Sequence, residues 1–185
     1  MQDLRVFHVA RSGCCVRVES LNDVCVSMTE PRRKRLKVVL YNPRAVFFTM
    51  PLALLAIGSE LDPEVYEVVI VDARIDPDAE ATLLSHLDEA LCLGVTVLTG
   101  APISDALRIS RSAKRARPDL PVVWGGWHPS MFSRECLSER SVDVTVRGQG
   151  EETFAEIVER LAHGRPSARR IANNRQAAAG TVPPS

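Results

Sequence analysis

Short runs of β-branched residues alternate with helix-like segments along most of this chain, and the last two runs each lead into a glycine-rich turn. Pro121–Trp124 precedes Gly125-Gly126, and Val142–Val146 precedes Gly148-Gln149-Gly150. Repeated succession of strand, turn and helix predicts parallel strands, because parallel neighbours need a crossover connection that is usually helical. The chain is therefore expected to form a parallel sheet whose glycine turns gather at one edge.

Hydrophobic periodicity and turn residues divide the chain into five strands and five helices. The predicted strands are 37–41, 66–72, 95–99, 121–124 and 142–146. The predicted helices are 51–61, one beginning at Pro77 that carries a leucine stripe to Leu91 and is capped by Gly94, then 103–117, 130–137 and 151–162. This element count predicts an α/β fold, a doubly wound parallel five-stranded sheet of flavodoxin-like (Rossmann-type) architecture with strand order 2-1-3-4-5.

The periodic part of the chain is flanked by two segments of different character. Residues 1–35 have weak periodicity and no clear helix caps, so we expect a poorly structured N-terminal extension. Residues 36–162 carry the α/β domain. Residues 163–185 contain four arginines and no acidic residue and end near Pro183-Pro184, which predicts an irregular C-terminal tail or truncated linker.

Composition argues against several classes of partner and site. The formal net charge is zero and aromatic residues make up 5% of the chain, so nothing indicates a nucleic-acid partner. No apolar run is long enough to span a membrane, and no signal peptide is recognisable, so we expect a cytoplasmic protein. The five cysteines form no Cys-x-x-Cys pair, which argues against a disulfide framework or a zinc ribbon.

Ligands of open α/β sheets bind beyond the carboxyl ends of the strands. The loops expected at that edge supply a polar rim with one histidine and no carboxylate pair: Asn42, Arg44, Thr49, Thr99, Gly100, Trp127, His128, Arg147 and Gln149. No Ser-His-Asp arrangement can be argued from this rim. The edge is therefore predicted to bind a ligand without catalysing a reaction alone, and no catalytic or metal-binding residue is assigned.

The familiar ligands of this fold can be tested by residue type. The loop after the first strand has neither the Gly-x-Gly-x-x-Gly of a dinucleotide fold nor a phosphate-binding loop. It also lacks the hydroxyl-rich stretch that would hold a flavin phosphate. A phospho-acceptor domain needs aspartates where this chain has Asn42 and Thr99. These chemistries are disfavoured.

Several segments of the chain stand in a characteristic order and spacing: 38–43, Gly58, 69–72, 98–102, 123–129 and 143–152. Through these segments the chain resembles, over residues 36–162, the N-terminal cobalamin (vitamin B12)-binding domain of cobalamin-dependent radical S-adenosylmethionine (SAM) enzymes. In that family the corrin ring lies on the strand-end edge and the nucleotide tail enters the sheet crevice. The resemblance implies a set of cofactor-binding residues: Asn42, Pro43, Arg44, Thr99, Gly100, Ala101, Pro102, Gly125, Gly126, Trp127, His128, Pro129, Gly148, Gln149, Gly150 and Glu151.

The chain departs from related patterns in three places. Its first loop lacks the Asp-x-His-x-x-Gly histidine of methionine-synthase-type domains, so no lower axial cobalt ligand is assigned. It contains no Cys-x-x-x-Cys-x-x-Cys triplet, the motif with which radical enzymes hold their iron–sulfur cluster. Gln149 stands where the family commonly has glutamate. For His128, either contact with cobalamin or a purely structural role in the turn remains open.

Two functional hypotheses follow. In the first, the chain is a cobalamin-binding domain, a fragment of a methyltransferase-like radical SAM enzyme that lacks its iron–sulfur half, and its partner would be a radical SAM catalytic domain. In the second, it is a stand-alone flavodoxin-like interaction or regulatory module that no longer binds ligand. The loop chemistry disfavours a small nucleotide-sugar or flavin enzyme.

Overall fold

A computed structural model describes residues 6–8, 34–45 and 50–164 of the protein. These residues form a six-stranded sheet with spatial order β1-β3-β2-β4-β5-β6. The strands are β1 (Val6–His8), β2 (Leu36–Asn42), β3 (Tyr66–Asp72), β4 (Ala90–Thr96), β5 (Val122–Gly125) and β6 (Val144–Thr145). Strands β2 to β6 are parallel and have the predicted order 2-1-3-4-5 among themselves, which confirms the flavodoxin-like fold.

Helices cover both faces of the sheet. They are α1 (Leu52–Ser59), α2 (Ala79–His86), α3 (Pro102–Ala116), α4 (Trp127–Met131), α5 (Ser133–Ser138) and α6 (Glu151–Ala162). One apolar core lies between the sheet and α2, α3 and α5. A second core lies between the sheet and α1 and α6. The β-branched residues of β2 and β3 alternate between these two cores, so both faces of the central strands are dry, as a parallel sheet requires.

The prediction for the third parallel strand was wrong. Helix α2 ends at His86, and β4 runs over Ala90–Thr96 in place of the predicted 95–99. Leu91 therefore belongs to a strand, and Gly94 lies within that strand and does not cap a helix. Strand β4 lies between β2 and β5 in the sheet, and its sequence is a short apolar run. Periodicity alone does not distinguish such a run from the end of a buried helix.

Smaller corrections concern the ends of the chain and the last elements. Val6–His8 pair antiparallel with β3, so this part of the expected poorly structured extension is an edge strand. Residues 1–5, 9–33, 46–49 and 165–185 lie outside the described residues. They include most of the expected N-terminal extension, the predicted rim residue Thr49 and nearly all of the predicted tail. The predicted helix 130–137 is two short helices, and only Val144–Thr145 of the last predicted strand are paired. Within the described residues, no helix is both long and apolar enough to cross a membrane.

Candidate functional site

A cavity of about 250 Å³ opens at the carboxyl ends of the parallel strands, between the sheet and helices α1 and α6. Its walls are mostly apolar and include five glycines, and they comprise Leu40, Ala53, Leu54, Ile57, Gly94, Val95, Thr96, Val123, Gly125, Gly126, Val146, Gly148, Gln149, Gly150, Glu151 and Phe154. Glu151 is the one ionisable residue in this lining. Such a site suits a largely uncharged, flat ligand with a few polar contacts.

Two of the glycines keep the cavity open because a side chain there would meet its walls. A Cβ on Gly94 would lie 2.7 Å from Leu40 Cδ2 and 3.1 Å from Phe154 Cε2. A Cβ on Gly150 would lie 3.3 Å from Val146 Cγ1. The absence of side chains at these two positions therefore contributes directly to the space between the sheet and α6.

Gly126 has a different role, because its backbone adopts φ +96°, in the region that favours glycine. A Cβ there would lie 3.1 Å from both Thr96 Oγ1 and the Val97 carbonyl oxygen. The Val97 amide donates to the Gly125 carbonyl at 2.8 Å, and the His128 amide donates to the Val97 carbonyl at 3.0 Å. The loops after β4 and β5 are thus held together at one wall of the cavity.

The loops after β5 and β6 are joined by the side chain of Ser130, on α4. Its hydroxyl donates to the Gly126 carbonyl at 2.7 Å and accepts a hydrogen bond from the Gly148 amide at 2.9 Å. Gly148 has φ +70°, and no atom lies within 4 Å of a Cβ built on it. One side chain therefore contacts both glycine turns that the sequence singled out.

The structure places six of the predicted cofactor-binding residues in the cavity lining and the other ten outside it. The six in the lining are Gly125, Gly126, Gly148, Gln149, Gly150 and Glu151. On the rim, His128 Nδ1 lies 3.4 Å from Thr99 Oγ1, and the Trp127 side chain is 65% exposed. Pro129 is buried in α4. Thr99 lies three residues beyond the end of β4, and Gly100, Ala101 and Pro102 form the start of α3 outside the cavity lining.

The predicted residues of the first loop point their polar groups toward the protein. Asn42 is buried, and its Nδ2 donates to Asp72 Oδ1 at 3.0 Å. Arg44 donates through its guanidinium to the Pro77 carbonyl at 2.8 Å. Pro43 is buried between them. None of the three lines the cavity.

Asp105, on α3, anchors this first loop from the opposite face of the sheet. Its Oδ2 accepts hydrogen bonds from the Tyr41 hydroxyl and the Arg44 amide, each at 3.0 Å, and its Oδ1 accepts one from Arg108 Nη2 at 2.7 Å. Partial burial, the largest single influence, acts to raise the pKa of Asp105, but these hydrogen bonds together hold it below the ordinary value. Burial, followed by the charge of Asp105, raises the pKa of Tyr41. The pair is a fixed anchor at neutral pH.

Sequence reasoning missed the cavity wall contributed by α1 and the single hydroxyl of the cavity lining. Ala53, Leu54 and Ile57 line the cavity from α1, and Thr96 lines it from the end of β4. The almost uninterrupted apolar character of segment 51–57 could have indicated a helix with two apolar contacts, one to the sheet and one to a ligand. Thr96 falls inside the predicted strand 95–99, whereas in the structure it is the last residue of β4.

Comparisons with known proteins agree with this geometry. The family model described as "B12 binding domain" matches residues 38–158. An uncharacterised methyltransferase of Pyrococcus horikoshii is 32% identical over 146 residues, covering 71% of this chain and 31% of its own length. An anaerobic magnesium-protoporphyrin IX monomethyl ester cyclase of Synechocystis is 31% identical over 117 residues, covering 60% of this chain and 23% of its own length. The chain thus spans about a quarter to a third of these relatives.

Solved structures give the same result. The radical SAM methyltransferase TsrM from Kitasatospora setae, with cobalamin and a 4Fe-4S cluster bound, matches with a TM-score of 0.64 and 27% identity over 73% of this chain and 26% of its own. The response regulator RcsB of Salmonella typhimurium, at 19% identity and a TM-score of 0.52, shares the fold alone. With a family model spanning most of the described sheet, and a ligand-sized cavity at the strand-end edge, the chain belongs to the B12-binding domain family.

Proposed function

We propose that this domain binds cobalamin at its strand-end cavity and presents it to a radical SAM catalytic domain for methyl transfer. The observation that carries the proposal is the apolar, glycine-lined cavity between β4, β5, α1 and α6, in a chain that belongs to the B12-binding domain family. When bound, the cofactor supplies a transferable methyl group on cobalt. The chain's own residues hold, orient and shield it.

The chemistry of the lining fits the parts of this cofactor. The apolar walls and the open space beside Gly94 and Gly150 suit the flat, uncharged base of the nucleotide tail. The Thr96 hydroxyl is placed among those walls as a polar contact. At the rim, Gln149 and Glu151 offer acceptors for the amide groups that surround a corrin. His128 and Trp127 are proposed to contact the ring side of the cofactor.

The charge of α6 favours this ligand over a phosphate-anchored one. Glu151 and Glu152 occupy the first turn of α6, where a phosphate of a flavin or nucleotide would otherwise be stabilised by the helix dipole. Two carboxylates at that position repel an anion. The amide groups around a corrin are neutral and meet no such repulsion, so only the single phosphodiester of the cobalamin tail would have to lie away from this helix end.

We infer that the iron–sulfur chemistry of the reaction lies in a catalytic domain distinct from the region that matches the family model. The relatives named methyltransferase and cyclase are longer than the matched region, and TsrM holds both cobalamin and a cluster. The cysteines in the printed sequence have no cluster spacing. This domain would therefore supply the cofactor, and the catalytic domain would supply the radical and the substrate contacts.

A size series at Gly125 tests the proposal. Gly125 lines the cavity, has ordinary backbone geometry, and a Cβ there has Val146 Cβ as its nearest neighbour at 3.9 Å. Gly125→Ala, Gly125→Val and Gly125→Leu should therefore fill the cavity with little strain. We expect retention of hydroxocobalamin after desalting, measured by the visible spectrum, to fall in that order, with at least a tenfold weaker Kd for Gly125→Leu.

Thermal unfolding of each variant serves as the control. An unchanged melting temperature would mean that weaker binding comes from a filled cavity and not from a damaged fold. Wild-type protein that emerges colourless from the desalting column would overturn cobalamin binding and favour an interaction module. Equal retention by all four proteins would place the ligand elsewhere than in this cavity.

A further inference from the structure

The two glycine turns of the cavity are brought together by a single side chain that neither turn contains. Ser130 Oγ lies 2.7 Å from the Gly126 carbonyl oxygen and 2.9 Å from the Gly148 amide nitrogen. The hydroxyl uses its one proton toward Gly126 and a lone pair toward Gly148, so both contacts exist at the same time. The hydrogen-bonding capacity of the side chain is thus engaged on both sides.

The loop that this hydroxyl holds has few other restraints. Residues Arg147 to Gln149 are exposed, and Gly148 has open space around it. The next backbone hydrogen bonds on either side are from the Val146 amide to the Trp124 carbonyl and from the Phe154 amide to the Gly150 carbonyl. Between those points, the Gly148 contact with Ser130 fixes the path of the chain past the cavity.

We propose that Ser130 is a positioning residue for cobalamin, one that sets the spacing of the two glycine turns without touching the cofactor. The inference rests on the proposed function. Losing the hydroxyl frees the loop that carries Gln149 and leads to Glu151. Cobalamin binding would then have to order this loop, and the cost of that ordering would weaken the affinity. Each of the two hydrogen bonds contributes about 0.5–1.5 kcal/mol net, so the loss of both corresponds to a Kd for hydroxocobalamin that is about 5- to 150-fold weaker.

The test compares Ser130→Ala with Ser130→Thr, which keeps the hydroxyl, and with Ser133→Ala as a matched control. Ser133→Ala also removes a hydroxyl contact, because Ser133 Oγ lies 2.7 Å from Thr145 Oγ1 in β6, but Ser133 touches neither glycine turn. We expect weakened hydroxocobalamin binding in Ser130→Ala, near wild-type binding in Ser130→Thr, and unchanged binding in Ser133→Ala. If Ser130→Ala does not fold, Ser130→Cys replaces it and should give an intermediate loss, since a thiol is a weak donor and acceptor.

A second measurement, on the protein without cofactor, examines the contact itself. Hydrogen exchange of the Gly148 amide, followed by nuclear magnetic resonance, should be at least fivefold faster in Ser130→Ala than in wild type or Ser133→Ala. If wild type binds hydroxocobalamin and Ser130→Ala binds it as tightly as Ser133→Ala does, the positioning role is overturned and the proposed function is not. Faster Gly148 exchange with no cobalamin binding by wild type would instead overturn the proposed function, and the positioning role with it.

Discussion

At the scale of single residues, glycines that look alike in sequence serve different physical needs. Gly94 and Gly150 leave space for a ligand. Position 126 requires glycine for two reasons, the positive φ of its backbone and the close approach of the Val97 backbone. Gly100 shares the positive φ, at +105°, but nothing lies within 4 Å of a Cβ built there. Comparing the last two glycines separates backbone strain from crowding.

We expect Gly126→Ala to be clearly more destabilising than Gly100→Ala. Each adds a side chain at positive φ, which costs about 1–2 kcal/mol, and Gly126→Ala adds overpacking of about 1–3 kcal/mol against the β4–α3 loop. Urea denaturation of both variants measures the difference in the free energy of unfolding. Equal losses would mean that the loop shifts freely and that the close approach at Gly126 has no energetic weight.

At the scale of elements, the amphipathic helices were predictable and the central strand was not. Helix α3, predicted over 103–117, buries Ala106, Ile109 and Ala113, which have the spacing of one helical face. Strand β4 was misplaced because a strand buried on both faces has no alternation to distinguish it from an apolar helix end. Side-chain partners were equally hidden: Arg44 bonds to Pro77 and Asp105, which are remote in sequence.

The anchor between α3 and the first loop predicts a pH-dependent stability. The pKa of Asp105 is lowered in the folded state, so its stabilising contribution is complete above the unfolded-state pKa of about 3.9 and is lost as the pH falls through the folded-state value. Wild type should be more stable than Asp105→Asn at pH 5, and the difference should shrink toward pH 2. Urea denaturation across this range measures it.

Asp88→Asn, at an exposed carboxylate, is the control for a general change in charge. Its difference from wild type should remain small at every pH. A gap between wild type and Asp105→Asn that stays constant down to pH 2 would contradict the role assigned to the Asp105 carboxylate.

At the scale of the whole molecule, strand order and the clustering of glycine turns at one edge were predictable from the alternation of strands and helices. The antiparallel strand β1 was not, because three residues in an otherwise weakly patterned segment carry too little periodicity. Its position matters, since β1 pairs with Val69, Ile70 and Val71 along an edge of β3 that would otherwise be open. Open edges of this kind pair readily with other chains.

Removal of residues 1–8 should therefore promote self-association through β3. We expect light scattering during size-exclusion chromatography to give a mass that rises with protein concentration for the shortened chain and stays constant for the full chain. A chain of unchanged length in which Val6–His8 are replaced by Gly-Ser-Gly should behave like the shortened one, because both lose the strand. A monomeric shortened chain at every concentration would argue that β1 has no protective role.

The direction of α6 has a consequence for tethering. This helix begins beside the cavity at Glu151 and ends at Ala162, at the opposite edge of the sheet. Its 12 residues at 1.5 Å per residue extend for roughly 18 Å. Any later segment that reaches a cofactor in the cavity must retrace that distance, which takes at least about five or six extended residues. For the proposed function, the number of residues between α6 and a catalytic partner would therefore decide whether that partner could meet the cofactor.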